Sequence, residues 1–130
     1  MAMVKARIGK EKYRMVVETD GQNFVMDEPI GLGGKDLGPD PGELLSASLA
    51  ACSAATMKMY ADRKGWELEE AVVEVDFKKN EATNTTEFSK TISLKGNLDE
   101  QQKQKLHEIA GKCPIHRLLT NSIEINSEMN

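Results

Sequence analysis

The stretch DPGELLSASLAACSAATMKMYADRKG, residues 40–65, decides the fold. Asp40 carries an oxygen suited to a helix N-cap, Pro41 suits the first helical position, and Glu43 stands three residues after the cap as a reciprocal partner. From Leu44 to Ala61 the residues are apolar or small nearly all round a helix, with Lys58 the one charge. A helix without a polar face is a buried helix. Its alanines and serines admit close neighbours, a second subunit included. Arg63 and Lys64 fall in the last turn, where cations complement the helix dipole, and Gly65 stops it.

On the N-terminal side the chain reads as short strands. Tyr13 to Thr19 is β-rich, Asp20-Gly21 is a hairpin-turn signal, and Asn23-Phe24-Val25-Met26 follows. The loop at 31–38 holds Gly31, Gly33, Gly34 and Gly38, which punctuate the chain ahead of the helix. It forms no nucleotide cradle, because neither a Gly-x-Gly-x-x-Gly pattern nor a Gly-Lys-Ser/Thr ending is present.

On the C-terminal side Val73, Val75 and Phe77 alternate with Glu74, Asp76 and Lys78, and Phe88 to Gly96 puts Ile92 and Leu94 on one face. Polar residues 80–86 between them make a long antiparallel hairpin. Asp99 caps a second helix with Gln102 in the reciprocal place, and Leu106, Ile109, Ala110 and Cys113 form its apolar stripe. Pro114 interrupts that helix, residues 115–120 add a further turn, and Ile123 with Ile125 suits a closing strand. The order β-β-β-α-β-β-α-β predicts an α+β domain with helices packed on antiparallel sheet. The 130 residues suit a single domain, 1–130.

Bulk composition narrows the function. A net charge of −4 disfavours nucleic acid, whose phosphates call for a basic face. No run approaches the length of apolar residues that spans a membrane. The opening Met1 to Arg7 has no apolar segment of a secretory signal, so a reducing cytoplasm is the expected location. Two cysteines in that compartment read as reactive, metal-binding or buried rather than as a permanent bridge.

Cys52 lies inside the first helix and Cys113 on the apolar side of the second. Each is equally accounted for as a core residue, since free cysteine is among the most buried types. Both fall on the core faces of the two main helices, so the pair is also a latent disulfide. A thiol with a pKa of about 8.5 is mostly protonated at neutral pH, and burial raises that value. Reactivity at Cys52 therefore calls for a nearby cation, for which Arg7, Arg14, His116 and Arg117 are candidates. Cys113-Pro114-Ile115-His116 with the remote Cys52 also offers a weak set of zinc-type ligands. His107 is expected to face solvent, and Glu67, Glu69 and Glu70 to form a solvated patch. Met57 and Met59 suit either a core or an apolar substrate wall.

Two separated motifs carry a resemblance. Gly38-Pro39-Asp40-Pro41-Gly42-Glu43-Leu44-Leu45 with Ser48-Leu49-Ala50-Ala51-Cys52, continued by Tyr60 to Trp66, resembles the helix signature of the OsmC/Ohr family. Cys113-Pro114-Ile115-His116-Arg117 resembles the family's second cysteine motif. The resemblance implies an intertwined homodimer with the long helices at its centre, and reduction of hydroperoxides, often organic ones. It makes Cys52 the attacking cysteine and Cys113 the resolving one, with a cellular dithiol as reductant and no cofactor or metal. Arg14 takes the place of the family's assisting arginine. The assisting glutamate is expected at position 42, where this chain has glycine, with Glu43 next to it. Glu43 points about 100° away round the helix from that place. The departure leaves open a second reading, a non-catalytic module that binds an apolar ligand or partner in the same pocket.

Overall fold

The structure, a computed structural model, describes residues 3–130; residues 1 and 2, where the reading of a missing secretory signal begins, lie outside the described residues. The chain divides into two compact units, Met1–Leu45 and Ser46–Asn130.

In the first unit β1 (Lys5–Ile8), β2 (Met15–Glu18) and β3 (Asn23–Met26) form an antiparallel sheet in chain order. Val17 and Met26 face inward and are buried. The turn expected at Asp20-Gly21 is closed by Thr19, whose hydroxyl accepts from the N–H groups of Gly21 and Gln22. That leaves Glu18 opposite Asn23. After β3 the chain folds back through a 3-10 turn (Ile30–Leu32) so closely that side chains at 34 and 38 would collide with the carbonyl oxygens of Glu28 and Val25. Glycine is required at both places.

Asp27 fixes this loop. Its side chain is fully buried and accepts four backbone N–H bonds, from Tyr13 (3.3 Å), Glu28 (2.8 Å), Lys35 (3.2 Å) and Leu37 (3.2 Å). Burial opposes the carboxylate, but the four donors outweigh it and hold its pKa below the ordinary value. A depressed folded-state pKa adds stability above the unfolded-state pKa, and that stability is lost as pH falls through the folded one. Asp27→Asn should therefore lower the denaturant midpoint at neutral pH and flatten its fall in acid. A variant with the parent's acid limb would show that the carboxylate charge is not what holds the loop.

The long helix α1 (Pro41–Lys64) starts as its sequence predicts. The Glu43 N–H donates to Asp40 Oδ1 at 2.8 Å, and the Asp40 N–H donates to Glu43 Oε1 at 3.0 Å. It ends on Gly65, whose φ of +72° suits glycine. The helix is not buried all round. Leu49, Ser53, Met57 and Ala61 form one buried stripe, while Ala47, Ala51, Ala55 and Met59 form an exposed one at the same spacing. Small, apolar composition permits burial on any face, and the partners within the chain cover only one.

In the second unit β4 (Glu67–Asn80) and β5 (Thr85–Asn97) make the predicted hairpin, with Val73 opposite Ile92, Val75 opposite Lys90, and Phe77 opposite Phe88. The two phenylalanine rings stack at 5.0 Å. Helix α2 (Glu100–Ala110) carries the expected reciprocal cap between Asp99 and Gln102. The core is Met57 and Ala61 from α1, Leu68 from β4, and Leu106 and Ala110 from α2. Tyr60, Trp66 and the inward side chains of the hairpin pack against it.

Two further expectations are corrected. Cys113 is buried as predicted but is not on α2; α2 stops at Ala110, and Cys113 is the N-cap of a third helix, α3 (Pro114–Thr120). The residue before proline is driven to extended backbone, here φ −68° and ψ 147°, so Pro114 ends one segment and opens the next. The closing strand does not form: residues 122–130 have no strand, and Ile123 and Ile125 are exposed. An alternating pair needs a neighbouring ladder to become a strand.

Candidate functional site

Three elements of the second unit bring the cysteines together. Helix α1 presents Cys52 half-buried at the edge of its inward stripe, and Ser53 fully inside it. The Pro114 effect turns Cys113 inward, and its sulfur accepts the His116 N–H at 3.2 Å. Each thiol lies close enough to shift the ionisation of the other, and the Ile115 backbone also acts on Cys52.

The third contributor is Lys90 of β5. Its ammonium donates to Ser53 Oγ at 3.0 Å, to the Ala110 carbonyl at 3.1 Å and to His116 Nδ1 at 3.0 Å. An ammonium has no lone pair to offer, so His116 must accept through Nδ1 and, when neutral, carry its proton on Nε2. Ser53 Oγ lies 3.6 Å from Cys113 Sγ and 3.4 Å from the Ala110 carbonyl.

These contacts split the two thiols. Burial raises the pKa of Cys52, and the adjoining Cys113 adds to that, against the opposing pull of the Ile115 backbone and the Thr56 side chain. Burial also opposes ionisation of Cys113. There the His116 N–H, Ser53, the Cys52 thiol and the charge of Lys90 together outweigh it, and its pKa falls below the ordinary value. Lys90 is itself lowered by burial, partly offset by the sulfurs, and His116 is lowered by burial and then by the Lys90 charge. The more buried sulfur thus holds a negative charge more readily than the more accessible one.

Of the cations foreseen from sequence, only His116 stands in this cluster. Arg7 pairs with Glu18 at 3.1 Å, Arg117 is exposed on α3, and Arg14 is half-buried just ahead of β2 in the first unit. Glu43 is exposed and occupied as the capping partner of Asp40. Met57 is a core residue and Met59 is exposed. His107 and the Glu67, Glu69 and Glu70 patch face solvent as expected.

Lys90 and Ser53 were missed. The signal for Lys90 was its phase: it shares the inward side of β5 with Phe88, Ile92 and Leu94, an unusual place for a charge. Ser53 shows no comparable signal beyond its place on the Leu49–Met57 stripe. Among the described residues no three His, Cys, Asp or Glu side chains gather as a metal-holding group.

A cavity of about 190 Å³ adjoins the cluster, with Leu49, Phe88 and Leu119 as its apolar wall and Lys90 and His116 at its polar side. Among the described residues no helix is long and apolar enough to cross a membrane.

Comparisons with known proteins agree on the architecture. The family described as OsmC-like protein matches residues 33–128. An OsmC-like protein of Mycoplasma pneumoniae is 19% identical with a TM-score of 0.77, over 92% of this chain and 86% of that one. The organic hydroperoxide resistance protein OhrB of Bacillus subtilis is 24% identical with a TM-score of 0.64, over 92% and 90%. An organic hydroperoxide resistance protein of Elizabethkingia anophelis is 22% identical with a TM-score of 0.65, over 95% and 91%. At these identities the likeness is one of fold. No curated protein matches the chain.

Proposed function

Since this chain belongs to the OsmC-like protein family, we propose that it is a thiol-dependent peroxidase reducing hydroperoxides, organic ones included, through Cys52 and Cys113. The observation that carries the reading is the pair of free cysteines that shift each other's ionisation beside the half-buried ammonium of Lys90, which is tied to Ser53. The names of the hydroperoxide resistance proteins that share the fold support the choice of substrate.

The sulfur of Cys52 attacks the distal oxygen of ROOH; the S–O bond forms as O–O breaks, and the departing RO⁻ takes a proton to leave as an alcohol. Cys52 becomes a sulfenic acid. The sulfur of Cys113 then attacks the Cys52 sulfur, an S–S bond forms, and the hydroxyl leaves as water. Two electrons pass from the pair to the peroxide. An external dithiol in a reducing cytoplasm restores both thiols by exchange.

Arg14 is the arginine proposed to assist Cys52, and Glu43 the carboxylate proposed to stand in for the glutamate missing at position 42. The working form is read as a homodimer, supported by the exposed Ala47, Ala51, Ala55 and Met59 stripe, whose small residues suit close helix packing. A second reading, apolar-ligand binding without turnover, draws on Leu49, Phe88 and Leu119 in the cavity wall and on Gly42 in place of a carboxylate.

Mass spectrometry after one equivalent of organic hydroperoxide tests the reading. The expected product is a Cys52–Cys113 linkage lacking both thiol hydrogens. Over-oxidation of Cys52 alone would remove the resolving role of Cys113, and an unmodified chain would favour the ligand-binding reading.

A further inference from the structure

We infer that Lys90 is a positioning residue for the resolving step: its ammonium holds the segment 110–116, and Cys113 with it, against α1 beside Cys52. The clamp itself stands on hydrogen bonds; only its use in resolving a sulfenic acid rests on the peroxidase reading.

Three acceptors converge on the Lys90 ammonium, and they come from three elements. Ser53 Oγ, at 3.0 Å, belongs to α1 and follows Cys52 directly in the chain. The Ala110 carbonyl, at 3.1 Å, is the last of α2 and precedes Cys113 by three residues. His116 Nδ1, at 3.0 Å, belongs to α3 and follows Cys113 by three. One ammonium thus ties both flanks of Cys113 to the neighbour of Cys52. The Ser53 hydroxyl donates to the same Ala110 carbonyl at 3.4 Å and lies 3.6 Å from Cys113 Sγ. The His116 N–H donates to that sulfur at 3.2 Å.

The chemistry of the position fits a clamp better than a surface charge. Lys90 is half-buried in the inward phase of β5, and among the described residues no carboxylate acts on it. Burying an ammonium without a counter-ion is costly unless its protons are taken up. Here all three are. Three acceptors on three elements call for three donors on one atom, and lysine alone among the side chains supplies that. One acceptor is also a helix C-terminus, where the dipole favours a cation. The joint it holds has little else of its own: α2 stops at Ala110, Pro114 drives Cys113 into extended backbone, and α3 has only seven residues.

In the resolving step the Cys113 sulfur attacks the sulfur of the Cys52 sulfenic acid. The S–S bond forms as S–O breaks, and the hydroxyl leaves as water with the Cys113 proton. The rate of this step depends on how often Cys113 stands within reach of Cys52. The stability of the disulfide against an external thiol depends on the same proximity. Loosening the clamp lowers both.

The test is the equilibrium of the Cys52–Cys113 disulfide with a glutathione buffer, with no peroxide present. Oxidised glutathione takes two electrons and two protons from the cysteine pair and leaves as two thiols. The parent should form the disulfide. Lys90→Met, which keeps the aliphatic stem, should lower its equilibrium constant about tenfold, a shift of about 30 mV toward less negative potential. Loss of the charge alone would move the potential the other way, because an ammonium favours the thiolates of the reduced form. Ser53→Ala keeps the ammonium and removes one anchor, so it should shift the potential in the same direction by less. It also serves if Lys90→Met does not fold. A parent that forms no disulfide within the chain would overturn the inference, as would variants whose potentials equal the parent's or become more negative. A disulfide with the expected shifts but no peroxide turnover would sink the peroxidase reading alone. Turnover with unshifted potentials would sink this inference alone.

Discussion

Cys52→Ser should reduce peroxide turnover with a dithiol reductant to the uncatalysed background while leaving the circular dichroism spectrum unchanged. Cys52 is the partly exposed sulfur of the pair, and Cys113 has no accessible surface. A serine hydroxyl at that place is far less nucleophilic than a thiol, and the cluster holds no histidine on it to serve as a general base. Serine is also nearly the size of cysteine, so the helix should keep its packing. Cys113→Ser should differ in kind. It should consume one equivalent of peroxide, stop, and accumulate over-oxidised Cys52, because the sulfenic acid has lost its partner. Turnover by Cys52→Ser equal to the parent's would remove Cys52 from the reaction altogether.

Leu106→Ala should give the largest loss of stability, about 2–5 kcal/mol on the usual cost of a buried leucine cavity. Leu106 is fully buried in α2, among Met57, Ala61, Leu68 and Ala110. Its neighbours come from α1, β4 and its own helix, so no single element can shift to close the void. Against a total of roughly 5–15 kcal/mol for a domain, that is a large share. Denaturant titration should show the midpoint falling with little change of slope. A loss below about 1 kcal/mol would mean that the site collapses freely, contrary to the close packing expected of a core.

The parts of the fold that were legible in the sequence are those set by neighbours in the chain. The start of α1 is written in Asp40, Pro41 and Glu43, and the hairpin register in a period of two that carries Val73, Val75 and Phe77 opposite Ile92, Lys90 and Phe88. Helical phase placed both cysteines on the core side. What it missed required long-range information. Nothing local says which stripe of a uniformly small, apolar α1 will be covered, nor that Ile123 and Ile125 have no ladder to join. The effect of Pro114 was local, yet its consequence was misjudged: it moved Cys113 from the end of one helix to the head of another. Lys90 was visible as a charge in an inward phase, but its partners, Ser53 and His116, lie 37 and 26 residues away. The resemblance points to an arginine as the site's cation. Within the second unit it is a lysine that meets the sulfurs.

The wide spacing of the cluster along the chain has an entropic consequence. The β4–β5 hairpin closes a turn of residues 81–84, whereas Ser53 meets Lys90 across 37 residues and Cys113 across 60. On loop-closure scaling, each of those meetings carries about 2 kcal/mol more chain entropy than the hairpin turn. A single hydrogen bond contributes about 1 kcal/mol net. The contacts around the sulfurs are therefore too weak to assemble themselves. They persist because Met57, Leu68 and Leu106 have already drawn α1, β4 and α2 together. The setting of the buried sulfur is in this sense a property of the hydrophobic core.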